Sequence, residues 1–175
     1  VYIRWRSPIL SILQQCYSVG CCQMLMPTTE YLNKIQLSNI SAILEVLAQG
    51  NCLSTEVISY WANAAKKLVE NQNSDIQYVS LSIYEAINDI EGLVGLAKKF
   101  DTFNSDVKGK YCDITGYNGF TDKNVIQCWI KECYQSNPHA INAILCIENT
   151  ELIISTYKQI VNTNKIEKFF NPVGN

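Results

Sequence analysis

Histidine is almost missing from this chain: His139 is the only one in 175 residues. A histidine-rich metal site is therefore excluded, and any Ser–His or Cys–His catalysis would have to run through that single ring. His139 follows Pro138 at the start of a helical pattern, where it reads as a polar first-turn residue. Charge is scarce too. Charged residues make up 17% of the chain and the net charge is −2, which leaves neither the charge excess of a disordered chain nor the basic footprint of a nucleic-acid binder. Arg4 and Arg6, Lys66 and Lys67, and Lys98 and Lys99 read as solvated charge. No apolar run approaches the ~18 residues of a membrane span, so no membrane partner is expected. No Cys-x2-Cys pair exists, which removes the usual signature of structural zinc.

Chemistry-bearing patterns are equally thin. Gly92-Leu93-Val94-Gly95 lies inside a helical period, without the preceding strand or the lysine of a phosphate loop, and reads as two small residues at a helix crossing. Asp89 and Glu91 are two apart on a helix and point to different faces; Asp75, Glu85 and Glu132 read as solvated. No catalytic residue, cofactor or metal ligand is assigned, and the expectation is a protein that is not an enzyme.

What the chain does have is cysteine. There are eight: Cys16, Cys21, Cys22, Cys52, Cys112, Cys128, Cys133 and Cys146. An even, high count is the arithmetic of a disulfide framework in an oxidising compartment, so a secreted, extracellular protein is expected. The alternative is a set of free buried thiols in the cytosol. Cys21 and Cys22 are adjacent and should each bond elsewhere. The chain begins at Val1 without methionine or leader, which fits a removed signal peptide or missing first residues. Asn39-Ile-Ser41 is a sequon, making Asn39 a possible N-glycosylation site in that compartment.

The apolar period is helical nearly throughout. Ser7-Pro8 opens a helix carrying Ile9, Ile12, Leu13, Cys16 and Tyr17 on one stripe, and shorter helical pieces follow to Gly50. Ser54 caps the clearest amphipathic segment, with Val57, Ile58, Trp61, Ala64, Ala65, Leu68 and Val69 on one face. Ser74-x-x-Gln77 reads as a capping box before Ile76, Val79, Ile83, Ile87, Ile90, Val94 and Ala97. Residues 101–120 have no sustained period and read as one long loop, with Cys112 as its staple. Thr121 caps a helix over about 122–136, Pro138 begins another, and segments at about 150–162 and 164–170 complete the count. The expectation is an all-α, disulfide-stapled bundle of about seven or eight helices forming a single domain over residues 1–175.

On the helix after Thr121, the apolar stripe gathers Val125, Ile126, Trp129, Ile130 and Cys133. Cys128 falls away from it, among Asn124, Lys131, Glu132 and Gln135, and is expected on the wet face. A free, exposed cysteine of a secreted protein is a candidate for bonding another chain. Pairing of Cys128 with Cys112 inside the chain is the alternative.

The run Cys128-Trp-Ile-Lys131-Glu-Cys-Tyr134-Gln-Ser136, followed by an Asn/Ala/Ile-rich stretch, resembles the light chain of lepidopteran silk fibroin, which has a C-x-[VI]-K-x-x-Y-[NQ]-S-like run. A looser likeness is Ile43-Leu44-Glu45 through Ala48-Gln49-Gly50-Asn51, leading into an alanine-containing helix. Together they cover about a third of the chain. The resemblance implies an all-helical, non-catalytic secreted protein joined by one interchain disulfide to the C-terminal region of a larger fibrous chain. It places the link at Cys128, and an intrachain pair at Cys52 and Cys112. This chain is shorter than those light chains, poorer in alanine and glycine, and richer in cysteine. The remaining cysteines, Cys16, Cys21, Cys22, Cys133 and Cys146, are intrachain candidates. Two other readings remain open: a secreted helical carrier enclosing a small apolar ligand, or a helical effector docking a partner protein.

Overall fold

A computed structural model of the chain describes residues 54–162, which form seven α-helices and a 3-10 segment. Among the described residues there is no β-strand, as an all-α reading requires. The chain divides into two compact units between Gly92 and Leu93.

In the first unit, α1 (Thr55–Leu68) packs on α2 (Ser74–Ala86). Ser54 caps α1 by accepting from Val57 N, and Val57, Trp61, Ala64 and Ala65 form the buried face that the period predicts. Small residues let the two helices approach, and Ser80 Oγ donates to Ala65 O at 2.8 Å within the buried contact. The capping box expected at Ser74 is displaced by one residue. Asn73 is the cap, and Gln77 turns back to donate to Asn71 O at 2.8 Å.

The continuous helix expected from Ile76 to Ala97 is broken. At the end of α2 the chain enters the left-handed region at Asn88, φ 53°. Asp89 N then bonds Tyr84 O while Asn88 N bonds Glu85 O, the double closure of a Schellman motif. Asp89 restarts the chain as α3 (Ile90–Leu96) by accepting from Gly92 N. Of the two glycines in that segment, Gly92 lies against the Tyr84 ring, whereas Gly95 faces open space.

The second unit contains the 3-10 segment Ala97–Thr102, α4 (Ser105–Tyr117), α5 (Lys123–Cys133), α6 (Pro138–Leu145) and α7 (Thr150–Asn162). Asn104, Asp122, Asn137 and Asn149 cap the four α-helices with side-chain oxygens. Asp122 thus replaces Thr121 as the expected cap of α5. The largest correction is α4, which occupies what reads as a loop. Its two glycines erase the helical signal because they lie where α6 crosses. A Cβ on Gly116 would stand 2.6 Å from Ala143 Cα and Cβ, and one on Gly109 would stand 2.9 Å from the His139 ring. The helix ends at Gly119, φ 64°, in a second Schellman closure.

A buried relay ties the core together. Trp129 Nε1 donates to Thr115 Oγ1 at 2.9 Å, and Thr115 Oγ1 donates to Tyr111 O at 2.7 Å. Tyr111 itself donates through its hydroxyl to Leu93 O at 3.0 Å. The aromatic side chains can therefore be buried without orphaning their polar atoms.

The same substitution should act with opposite sign at two glycines. Gly95→Ala, in open space within α3, should raise unfolding free energy by about 0.5–1 kcal/mol through helix propensity. Gly116→Ala should lower it by about 1–2 kcal/mol, because overpacking against Ala143 outweighs that gain. Urea unfolding of the two variants measures both.

Candidate functional site

Four cysteines fall within the described residues: Cys112 on α4, Cys128 and Cys133 on α5, and Cys146 at the end of α6. All four are free thiols, so no disulfide staples the described part of the fold. Cys16, Cys21, Cys22, Cys52 and the sequon at Asn39 lie outside the described residues, as does the segment at 164–170.

Cys128 is not on a wet face. It is only 4% exposed, and its Sγ lies 3.7 Å from Ala97 O, to which it donates. A wet face for Cys128 requires α5 to pack on one side only. In the fold α4, α6, α7 and the 3-10 segment all pack against α5, so its exposed surface shrinks to Asn124, Gln127 and Lys131 beyond the first residue. Glu132 also proves buried rather than solvated: Lys108 Nζ on α4 lies 3.0 Å from its Oε1, and Asn137 donates to its Oε2 at 3.1 Å. A buried carboxylate needs such partners.

Burial holds the three deep thiols in the protonated form. Desolvation pushes Cys128 up to about 11, with Lys131 partly opposing it. Cys133 is pushed up to about 12 by burial and then by Glu132. Cys112 goes higher still for the same two causes. Cys133 is buried as its stripe predicts, whereas Cys112 sits inside a helix rather than stapling a loop. The thiols have the properties of core side chains, not of activated nucleophiles.

His139 has structural work. Its Nδ1 lies 2.8 Å from Asp113 Oδ2, and its ring fills the space over Gly109, so it pins α6 to α4. Cys146 is half-buried at the far end of α6, in a shallow surface dent that Cys112, Gly116 and Tyr117 also line and that has no room for a ligand. Tyr117 and the neighbouring Leu145 are 75% and 72% exposed. Among the described residues no group of three or more His, Cys, Asp and Glu side chains could hold a metal ion, and no helix is long and apolar enough to cross a membrane.

Sequence reasoning misses the Lys131–Asp101 ion pair, at 2.8 Å, and the Lys108–Glu132 pair. No local pattern marks either one, since the partners are far apart in sequence and α4 is not foreseen.

Because the folded chain retains thiol protons that the unfolded chain releases, stability should be full below the ordinary thiol value of 9.0. It should then fall as pH rises toward about 12. Urea midpoints at pH 8 and pH 10.5 measure the loss, and replacing both Cys128 and Cys133 with alanine should reduce it, the buried Cys112 supplying part of what remains. A slope identical in that double variant would show that these thiols are not its source.

No protein-family model, no curated protein and no solved structure matches this chain.

Proposed function

We propose that this chain is a non-catalytic, secreted structural protein, joined by a disulfide to a larger fibrous chain of silk type, with Cys128 as the linking residue. The observation that carries the reading is that Cys128, the position the fibroin light-chain resemblance selects, is a free thiol on an ordered helix. Of the three buried thiols it is also the shallowest, at 4% exposure against 0% for Cys112 and 1% for Cys133. Lys131, one turn further along α5, is the cation that favours its thiolate. The helices around it supply its mount, held by side-chain caps and the buried Trp129–Thr115–Tyr111 hydrogen bonds.

The competing position for the link is Cys146, which the structure leaves half-buried beside exposed Leu145 and Tyr117. The two positions are separable by substitution.

Material from the native source, run on a non-reducing gel, should show a species much larger than 19.8 kDa that collapses to that mass on reduction. Cys128→Ser should abolish the large species with helical circular dichroism intact. Its loss in Cys146→Ser instead would move the link to α6. A 19.8 kDa band under both conditions would sink the assembly reading.

A further inference from the structure

Among the elements that enclose α5, the one that Cys128 itself bonds is a short segment. Ala97–Thr102 is a 3-10 turn, a geometry with poorer hydrogen bonds than an α-helix, and it packs directly on α5. Three fastenings hold it there. At its start, Ala97 O receives the weak thiol hydrogen bond from Cys128. In its middle, Phe100 is buried, with its ring 5.4 Å from that of Tyr111 and Lys108 Nζ 5.4 Å from its centroid. Near its end, Asp101 Oδ2 lies 2.8 Å from Lys131 Nζ, and both side chains are largely exposed, 70% and 56%. The first and third fastenings attach to the same helix, one turn apart, at the thiol and at the cation beside it.

We infer that Ala97–Thr102 is a displaceable strap over Cys128, latched at its outer end by the Asp101–Lys131 ion pair and returned by Phe100. This rests on the reading in which Cys128 bonds another chain, since a thiol that is 4% exposed cannot meet a second sulfur until its cover moves. Lifting the strap does two things at once. It exposes Cys128, and it releases Lys131 from Asp101 while leaving that ammonium beside the thiol, where it favours the thiolate. Cys133 on the same helix has Glu132 as its charged neighbour, which acts in the opposite sense.

The covalent step is thiol–disulfide exchange. Cys128 loses its proton to solvent, and its sulfur attacks a disulfide carried by the partner's cysteine. The new S–S bond forms as the old one breaks, and the expelled thiolate takes up a proton.

The strap is tested on the isolated chain by the rate at which uncharged iodoacetamide alkylates each cysteine, read by peptide mass mapping at pH 8.5. An exposed ion pair contributes little, so Asp101→Asn should speed alkylation of Cys128 by about two- to fivefold per thiolate and leave Cys112 unchanged. The thiolate fraction is read from a pH–rate profile, because the Asp101 charge itself disfavours that thiolate. The wild-type rate should rise by a similar factor in 1 M sodium chloride, while that of Asp101→Asn stays level. Equal Cys128 rates per thiolate in wild type and variant would overturn the strap. So would parallel acceleration of Cys112 and Cys128, which means general opening. Because no partner is present, gated alkylation without an interchain species on the gel would reject the assembly reading alone, and the species without gating would reject the strap alone.

Discussion

Everything in the second unit depends on how closely α4 and α6 approach. Ala143 occupies the place of a side chain on Gly116, and the His139 ring occupies the place of one on Gly109. Two missing Cβ atoms on one face of α4 admit a neighbouring helix, and the dispersion attraction across that seam offsets the propensity that glycine forfeits. The turn between α5 and α6 is built for the same purpose. Ser136 takes a left-handed φ of 60° and Asn137 caps α6 while donating to Glu132. A single asparagine thus starts one helix and satisfies a buried carboxylate on the helix before it.

Close packing makes a buried polar group costly unless it finds a partner, and a few side chains meet most of that demand, the Thr156 hydroxyl being the exception among the described residues. Thr115 accepts from Trp129 and donates to the Tyr111 carbonyl. Lys108 pairs with Glu132 and also lies over Phe100. In this setting a cysteine is useful as a small apolar filler with a weak donor, and burial keeps its proton on. Cys112, Cys128 and Cys133 answer to that description. Their free state separates two properties that the sequence count merges: a chain can be rich in cysteine without the described part of its fold being stapled by it.

Much of the architecture was legible because the apolar period was strong. α1, α6 and α7 stand where their apolar stripes place them, α1 on its expected Ser54 cap, and Trp61 and Trp129 are buried as their registers require. Where legibility failed, the cause was specific. α4 was hidden because Gly109 and Gly116 serve a tertiary contact that no local pattern encodes. The long helix broke because Asn88 accepts a left-handed conformation that a stripe of isoleucines does not reveal. The candidate site suffered from a subtler problem. A helical wheel locates the face opposite the apolar stripe, but it does not say on how many sides a helix is covered. α5 is covered by α4, α6, α7 and the 3-10 segment, and that enclosure moves Cys128 from solvent to interior. The ion pair at Asp101 and Lys131 joins residues 30 apart, so only the fold could bring it to light.

The placement of the one histidine has a practical side. Its ring lies in the tightest seam of the second unit, between the Asp113 carboxylate and the bare backbone at Gly109. A protein with one imidazole has one pair of ring C–H signals, with no second histidine to confuse their assignment. The molecule therefore carries a natural spectroscopic gauge at the α4–α6 seam, one that registers separation of the helices or loss of the carboxylate contact without an introduced label.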